Sequence, residues 1–254
     1  GAPLELQPNV EPWTQALSYC AFSRENESSL VSCVRIARAN ALSIRSDFSA
    51  EAWKFINSLY LEVERTEIAT VLREGPSRFL RRVRDAAQSF AGVTDATLTH
   101  GEGWEFLQVG RFLERASLTI RILEAFARLS DPDPEWQRLL EMCCSREPFM
   151  HASRGLSGIN DVLAFLLIEA DLPRSVRFSI HAVDEAVRRL SGTPSGTFAN
   201  ETERLLGGVR AALDFAQFTD IAHGGTASFL AMLRDRSLAV GEAIQELYFP
   251  RTPV

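Results

Sequence analysis

The chain has 254 residues, 46% of them hydrophobic and 24% charged, with a formal net charge of −6. That is enough for one large domain or two small ones with a substantial core, and the acidic balance argues against non-specific nucleic-acid binding as a main role. Lys54 is the single lysine beside a large excess of arginine. This fits either a genomic composition bias or many forked contacts to carboxylate or phosphate.

No apolar run approaches the length of a membrane span. The opening GAPLELQPNVEPW lacks the basic-then-apolar pattern of a signal peptide and reads as a loop or a cut end. Four cysteines (Cys20, Cys33, Cys143, Cys144) without a CxxC pair do not make a disulfide scaffold. A reducing, cytoplasmic compartment is the expectation.

Residues 1–10 read as a loop, and Pro12-Trp13 opens a short helix to about Phe22. Ser29 starts a helix to about Arg45, with Leu30, Cys33, Val34, Ala37 and Ala41 at helical spacing. Ser49 caps the next, whose inner face is Ala52, Phe55, Ile56, Leu59, Tyr60 and Val63 and which is expected to reach Leu72 before Gly75-Pro76 breaks it. A helix over Ser77–Phe90 follows, then a Gly-containing lead, 91–103. The longest helix is expected from His100 to Glu124. Beyond it lie a short helix from Glu135 to Cys144, an irregular stretch at 146–158, and a very apolar short helix from Ile159 to Ile168. A helix to Leu190 opens at Asp171 with Pro173 in its first turn. SGTPSG at 191–196 is a turn, and Asn200–Phe218 and Thr226–Leu247 are the last helices. With only weak strand signals, the fold class is all-α, a multi-helix bundle.

An internal duplication is visible in short segments. EPWTQALSYC (11–20) is similar to PEWQRLLEMC (134–143), and the helix opening at Ser29 is similar to the one opening at Ser175. The chain is therefore read as one domain over 1–254 with half-units at about 11–95 and 100–250. The 100–124 helix has no counterpart in the first half, so a first long helix is expected to be missing. All four tryptophans, Trp13, Trp53, Trp104 and Trp136, are assigned to core packing.

No nucleophile elbow, zinc-protease, P-loop or dinucleotide motif occurs. The four histidines are scattered, so no metal site is expected. The 100–124 helix carries apolar residues on every side, which predicts burial, yet it also carries Arg111, Glu114, Arg115 and Arg121. His100, Arg111, Glu114 and Arg121 share one narrow arc, with Arg115 at its edge. Buried charges must be paired or must face a ligand or a wet cavity. Two readings fit. In one, the charges form a salt-bridge network that fixes helix packing. In the other, arginine forks grip an anionic ligand while Glu114 orients a fork or takes a proton. Glu102 and Glu105 stand in the first turn, where the helix dipole favours acids, and His100 is a second candidate acid or base. Arg174, in the first turn of its own helix, needs a partner, with Glu114, Asp171 or a ligand as candidates.

The stretch EGWEFLQVGRFLERASLTIRIL (102–123) resembles the signature of the Alpha-E family, a bacterial α-helical domain of unknown function with a conserved Glu-Arg motif. The motif falls on Glu114-Arg115, and DLPRSVRF (171–178) and residues 37–61 resemble two further landmarks. By this resemblance the family's first long helix is expected to be missing, and Ser28-Ser29 stands where the family has Asn-Pro. The resemblance implies an accessory, substrate- or partner-binding role in a peptide-forming or protein-modifying system. Its implied partners are a circularly permuted ATP-grasp ligase and a transglutaminase-like protein, and ATP and Mg enter only through the ligase. The expected ligand-binding set is Arg111, Glu114, Arg115, Arg121, Arg174 and Glu102. Two alternatives stand beside this: an enzyme acting on a peptide product through Glu114 or His100, and a purely structural bundle.

Overall fold

The computed structural model describes residues 10–46, 48–129, 135–152, 158–217 and 225–250. Helices account for all of the regular structure among them, with no strand. The chain divides into two compact units, residues 1–104 and 105–254.

In the first unit, α1 (Pro12–Leu17) widens into a π turn over Ser18–Phe22. Then come α2 (Leu30–Ser43), α3 (Ala50–Arg65), α4 (Ile68–Glu74) and α5 (Pro76–Thr97). Ser29 and Ser49 cap α2 and α3 by accepting the backbone N–H three residues on. Helix α2 packs on α3, and α3 on α5. The core is Val31, Val34, Leu59, Val63, Val71 and Phe79, with Phe22 stacked on Phe79 at 5.4 Å.

The predicted Ser49–Leu72 helix is in fact two. Thr66 turns extended after Arg65, and its hydroxyl donates to Glu62 O at 2.7 Å, an alternative to continuing the helix. Gly75, at φ +94°, takes the left-handed-side backbone that lets Pro76 start α5. Helix α5 then runs seven residues beyond Phe90, so most of the expected lead is helical. Thr94 is accommodated because its hydroxyl donates to Phe90 O and Ala91 O within its own helix. Trp13 is 54% exposed, which overturns its assignment to the core.

The longest helix, α6 (Glu102–Ala127), leads into the second unit. There follow α7 (Trp136–Met142), α8 (Arg146–Ala152), α9 (Ile159–Ile168), α10 (Val176–Ser191), α11 (Glu201–Asp214) and α12 (Thr226–Tyr248). Helix α8 occupies part of the stretch expected to be irregular. Phe149 buries itself there against Trp136 and Phe165 and drives the turn into helix; residues 153–157 lie outside the described set. Phe218, the predicted end of α11, lies outside it too. Helices α10 and α11 pack together, with α9 beside both and α12 against α11. Ile120 and Leu123 of α6, Leu139, Leu166, Ile180, Leu206 and Leu230 are fully buried in one core. Each such side chain contributes about 2 kcal/mol of burial.

The α10 N-terminus differs from expectation in a way that matters for the site. Pro173 and Arg174 lie in a turn, closed by Ser175 N donating to Leu172 O, and the helix begins only at Val176. Arg174 is therefore outside the first helical turn, one residue before the N-cap Ser175. Ser175 is fully buried; its hydroxyl donates to Glu169 O at 2.6 Å and accepts from Phe178 N at 3.0 Å. Gly192, left-handed at φ +73°, closes the other end.

Ser29 and Ser175 are capped alike, but the likeness of the two segments stops at the tryptophans, since Trp136 packs on Phe149 where Trp13 is exposed. Because Ser175 Oγ serves two backbone groups, Ser175→Ala is expected to destabilise the chain by about 2 kcal/mol, above the typical ~1 kcal/mol of a cap. Ser29→Ala should cost less, and chemical denaturation of both variants checks the order.

Candidate functional site

Helix α6 is not buried all round. Arg111, Glu114, Leu118 and Arg121 are exposed, and their 3, 4, 3 spacing traces one solvent-facing stripe. The apolar Leu118 lies within that stripe, 48% exposed, and half-buried residues flank it. This is why apolar positions appear on every side although only Glu105, Val109, Ala116, Thr119, Ile120 and Leu123 are buried.

The expected buried Arg/Glu pocket is therefore absent as drawn. Among the described residues, Arg111, Glu114, Arg115 and Arg121 form no ion pair; the helix instead pairs through Glu105 with Arg189 and Glu124 with Arg234. Glu114 and Arg121 stand free in solvent, and Glu102 is exposed at the first position of the helix. His100 is exposed in the first unit, stacked on Trp104 at 4.2 Å with Nε2 2.9 Å from Asp95 O. These contacts place its ring at the α5–α6 connection.

What does assemble is a cluster of three arginines. Arg115 is half-buried; one of its N–H groups donates to Pro173 O at 3.1 Å, and its guanidinium lies 4.9 Å from the Phe112 ring. Arg111 lies 5.3 Å from the same ring. Thr119 Oγ1 donates to Arg174 O at 3.3 Å, which ties the Pro173-Arg174 turn to α6. Burial, then the charge of Arg111, then that of Arg174 pull the Arg115 pKa down to about 10. No carboxylate is bonded to any of the three among the described residues. Neither Glu114 nor Asp171 partners Arg174.

Beside Arg174, Cys143 is a buried free thiol that burial pushes up to about 11, against the opposing pull of Arg174. It is protonated at neutral pH and supplies no nucleophile.

The salt-bridge network lies elsewhere, on residues that did not stand out in the sequence. Asp214 accepts from Arg177 Nε at 2.9 Å, from His181 Nε2 at 2.7 Å and from Arg210 Nε at 3.4 Å. The fully buried Asp184 accepts from Arg188 Nε at 3.0 Å and from Arg210 at 2.8 Å. Arg188 goes on to Pro194 O and Thr197 O, at 2.8 and 3.0 Å, holding the α10–α11 turn. Arg210 thus bridges two aspartates and locks α10 to α11. Glu105, offered as a dipole-favoured acid, is instead buried and held by Arg189 at 2.6 Å. The signal available beforehand was the i,i+4 spacing of Arg177 with His181, Asp184 with Arg188, and Arg210 with Asp214. No group of His, Cys, Asp and Glu able to hold a metal occurs among the described residues, and no described helix is long and apolar enough to cross a membrane.

Compared with known proteins, residues 3–249 match a family described as a predicted alpha-helical domain with a conserved ER motif. No curated protein and no solved structure matches the chain. Glu-Arg occurs three times in it, and the three are built differently. Glu64 holds Arg24 at 2.6 Å. Glu203 closes the α11 cap, accepting from Ala199 N and Asn200 Nδ2, while Arg204 turns to Glu201. Only at Glu114-Arg115 is the arginine half-buried with no acid beside it.

Two stability effects follow from the network. Burial alone would raise Asp214, but His181 and Arg177 outweigh it and hold the carboxyl below its usual range. Its stabilising contribution is complete above the ordinary aspartate pKa of about 4 and is lost as pH falls through the lowered folded value. Asp214→Asn should therefore flatten the acid limb of a stability–pH profile measured by denaturant titration. Asp184→Ala strands Arg188 and Arg210 and should cost about 3 kcal/mol, measurable in the same way at pH 7.

Proposed function

The chain belongs to the Alpha-E family, and from that premise we propose that it is an accessory binding domain of a peptide-forming or protein-modifying system. It holds a carboxylate or phosphate of a substrate or partner on Arg111, Arg115 and Arg174. The observation that carries this reading is the uncompensated cation cluster. Like charges drawn together and partly desolvated cost stability, and within this protein the Asp184 and Asp214 network shows how arginines are neutralised where packing alone is at stake. An anion arriving at Arg115 removes the repulsion, and guanidinium forks match the planar oxygens of carboxylate and phosphate. Arg115 has five donors, and its one backbone bond, to Pro173 O, leaves the others for a ligand. The anchored turn at Pro173-Arg174 presets the geometry.

The partner class rests on the family resemblance: a circularly permuted ATP-grasp ligase, with a transglutaminase-like protein as a second partner. ATP and Mg belong to the ligase in this reading. The binding set narrows to the three arginines. Glu114, Arg121 and Glu102 are left outside it.

Phosphate titration into the purified chain at low salt is expected to raise the unfolding temperature, because ligand at 100 times Kd adds about 2.7 kcal/mol. Arg115→Met keeps the side-chain stem over Phe112 and removes the charge. It should be at least as stable as the parent without ligand and should lose the phosphate-dependent rise. Arg111→Ala, on the exposed stripe, should weaken the rise while leaving helicity intact. A rise of parental size in both variants would place the anion elsewhere and end this assignment.

A further inference from the structure

Beside the exposed stripe of α6, the second unit carries a surface of opposite character. A groove of about 730 Å³ opens between α6 and α12. Leu113, Leu238 and Phe249 supply its apolar lining, and Gly241, whose missing side chain would sit 3.6 Å from Leu113 Cδ2, keeps it open. Leu238 is 63% and Phe249 49% exposed, large apolar area to leave wet. Three exposed carboxylates, Glu114, Glu242 and Glu246, stand on the rim, and none has an ion pair among the described residues. Glu242 and Glu246 are one turn apart on the same helix, a like-charge i,i+4 spacing that is unfavourable by itself.

We infer that this groove docks a basic amphipathic helix of a partner protein. The occupant presents an apolar side chain to Leu113, Leu238 and Phe249 and a pair of Arg or Lys residues, one turn apart, to Glu242 and Glu246. A trough between two helices is the shape into which a third helix packs. The unpaired acids on its rim set the sign of the partner's flanking charges. A small polycation would satisfy the carboxylates and leave Leu238 and Phe249 exposed, so a helix answers both features where a polyamine answers one. The inference rests on different side chains from the arginine cluster, Arg111 of which shares the exposed stripe of α6 with Glu114, and on attraction of the opposite charge.

Three labelled synthetic helices of 18 residues test it by fluorescence anisotropy. They carry the same leucine face flanked by arginines, the same face flanked by glutamates, and a scrambled sequence of the basic peptide's composition. The basic amphipathic helix is expected to bind at least tenfold more tightly than the other two. Glu242→Lys with Glu246→Lys should reverse the preference toward the acidic helix. Leu238→Asp makes the chain more acidic yet blocks the groove, and it should weaken the basic helix at least tenfold. Equal binding of the basic and scrambled peptides would overturn the inference. So would an unchanged or tighter complex with Leu238→Asp, since both outcomes mean attraction by net charge alone. Displacement of the peptide by spermine from the parent with no effect of Leu238→Asp would also overturn it, in favour of a polyamine site.

Discussion

A guanidinium drawn partly out of water needs a negative charge, and Arg115 has two further arginines beside it instead. The pull on its proton comes first from burial and then from Arg111 and Arg174. Much of the surrounding structure holds this arrangement in place. The Ser175 cap fixes the turn that ends in Arg174, Thr119 and Arg115 tie that turn to α6, and Phe112 supplies the face over which two guanidiniums lie. These contacts orient the cations without neutralising them.

The contrast with the α10–α11 interface is instructive. There, two aspartates meet three arginines and a histidine, Arg177, Arg188, Arg210 and His181, and Nη1 of Arg188 goes to carbonyl oxygens of the next turn. That network stabilises one packing of two helices, since losing any acid would leave a poorly solvated cation. Within one unit the protein therefore uses arginine in two ways. It is compensated where it holds helices together and uncompensated where α6 meets the turn before α10. Helix α6 also carries Glu114 toward the groove with α12, about 100° around from Arg115. Adjacent residues of one Glu-Arg pair thus serve surfaces of opposite sign.

Several features were readable from residues alone for physical reasons. Ser29, Ser49 and Asn200 each stand where a helix is expected to open, and each accepts a backbone N–H there, whereas Ser175 caps a helix expected to open at Asp171. Gly75-Pro76 ends one helix and starts another because the two residues constrain the same short stretch of backbone. The failures also have identifiable causes. Thr66 has no strong breaker signature, and its helix ends through a side-chain bond to Glu62 O. The all-round apolar pattern of α6 was misread because Leu118 occupies a solvent-facing position and partly covered residues flank it.

Local chemistry thus determined the helical class, most caps and breaks, and the stretch of α6 on which charge matters, because each follows from interactions within about four residues. Tertiary structure decided which charges are compensated between helices. Asp184 and Arg210 are 26 positions apart, and Arg115 and Pro173 are 58 apart. Beyond the i,i+4 pairs within one helix, whether an arginine meets a carboxylate, a carbonyl or another arginine depends on how separate helices are brought together, and spacing along the chain does not encode that.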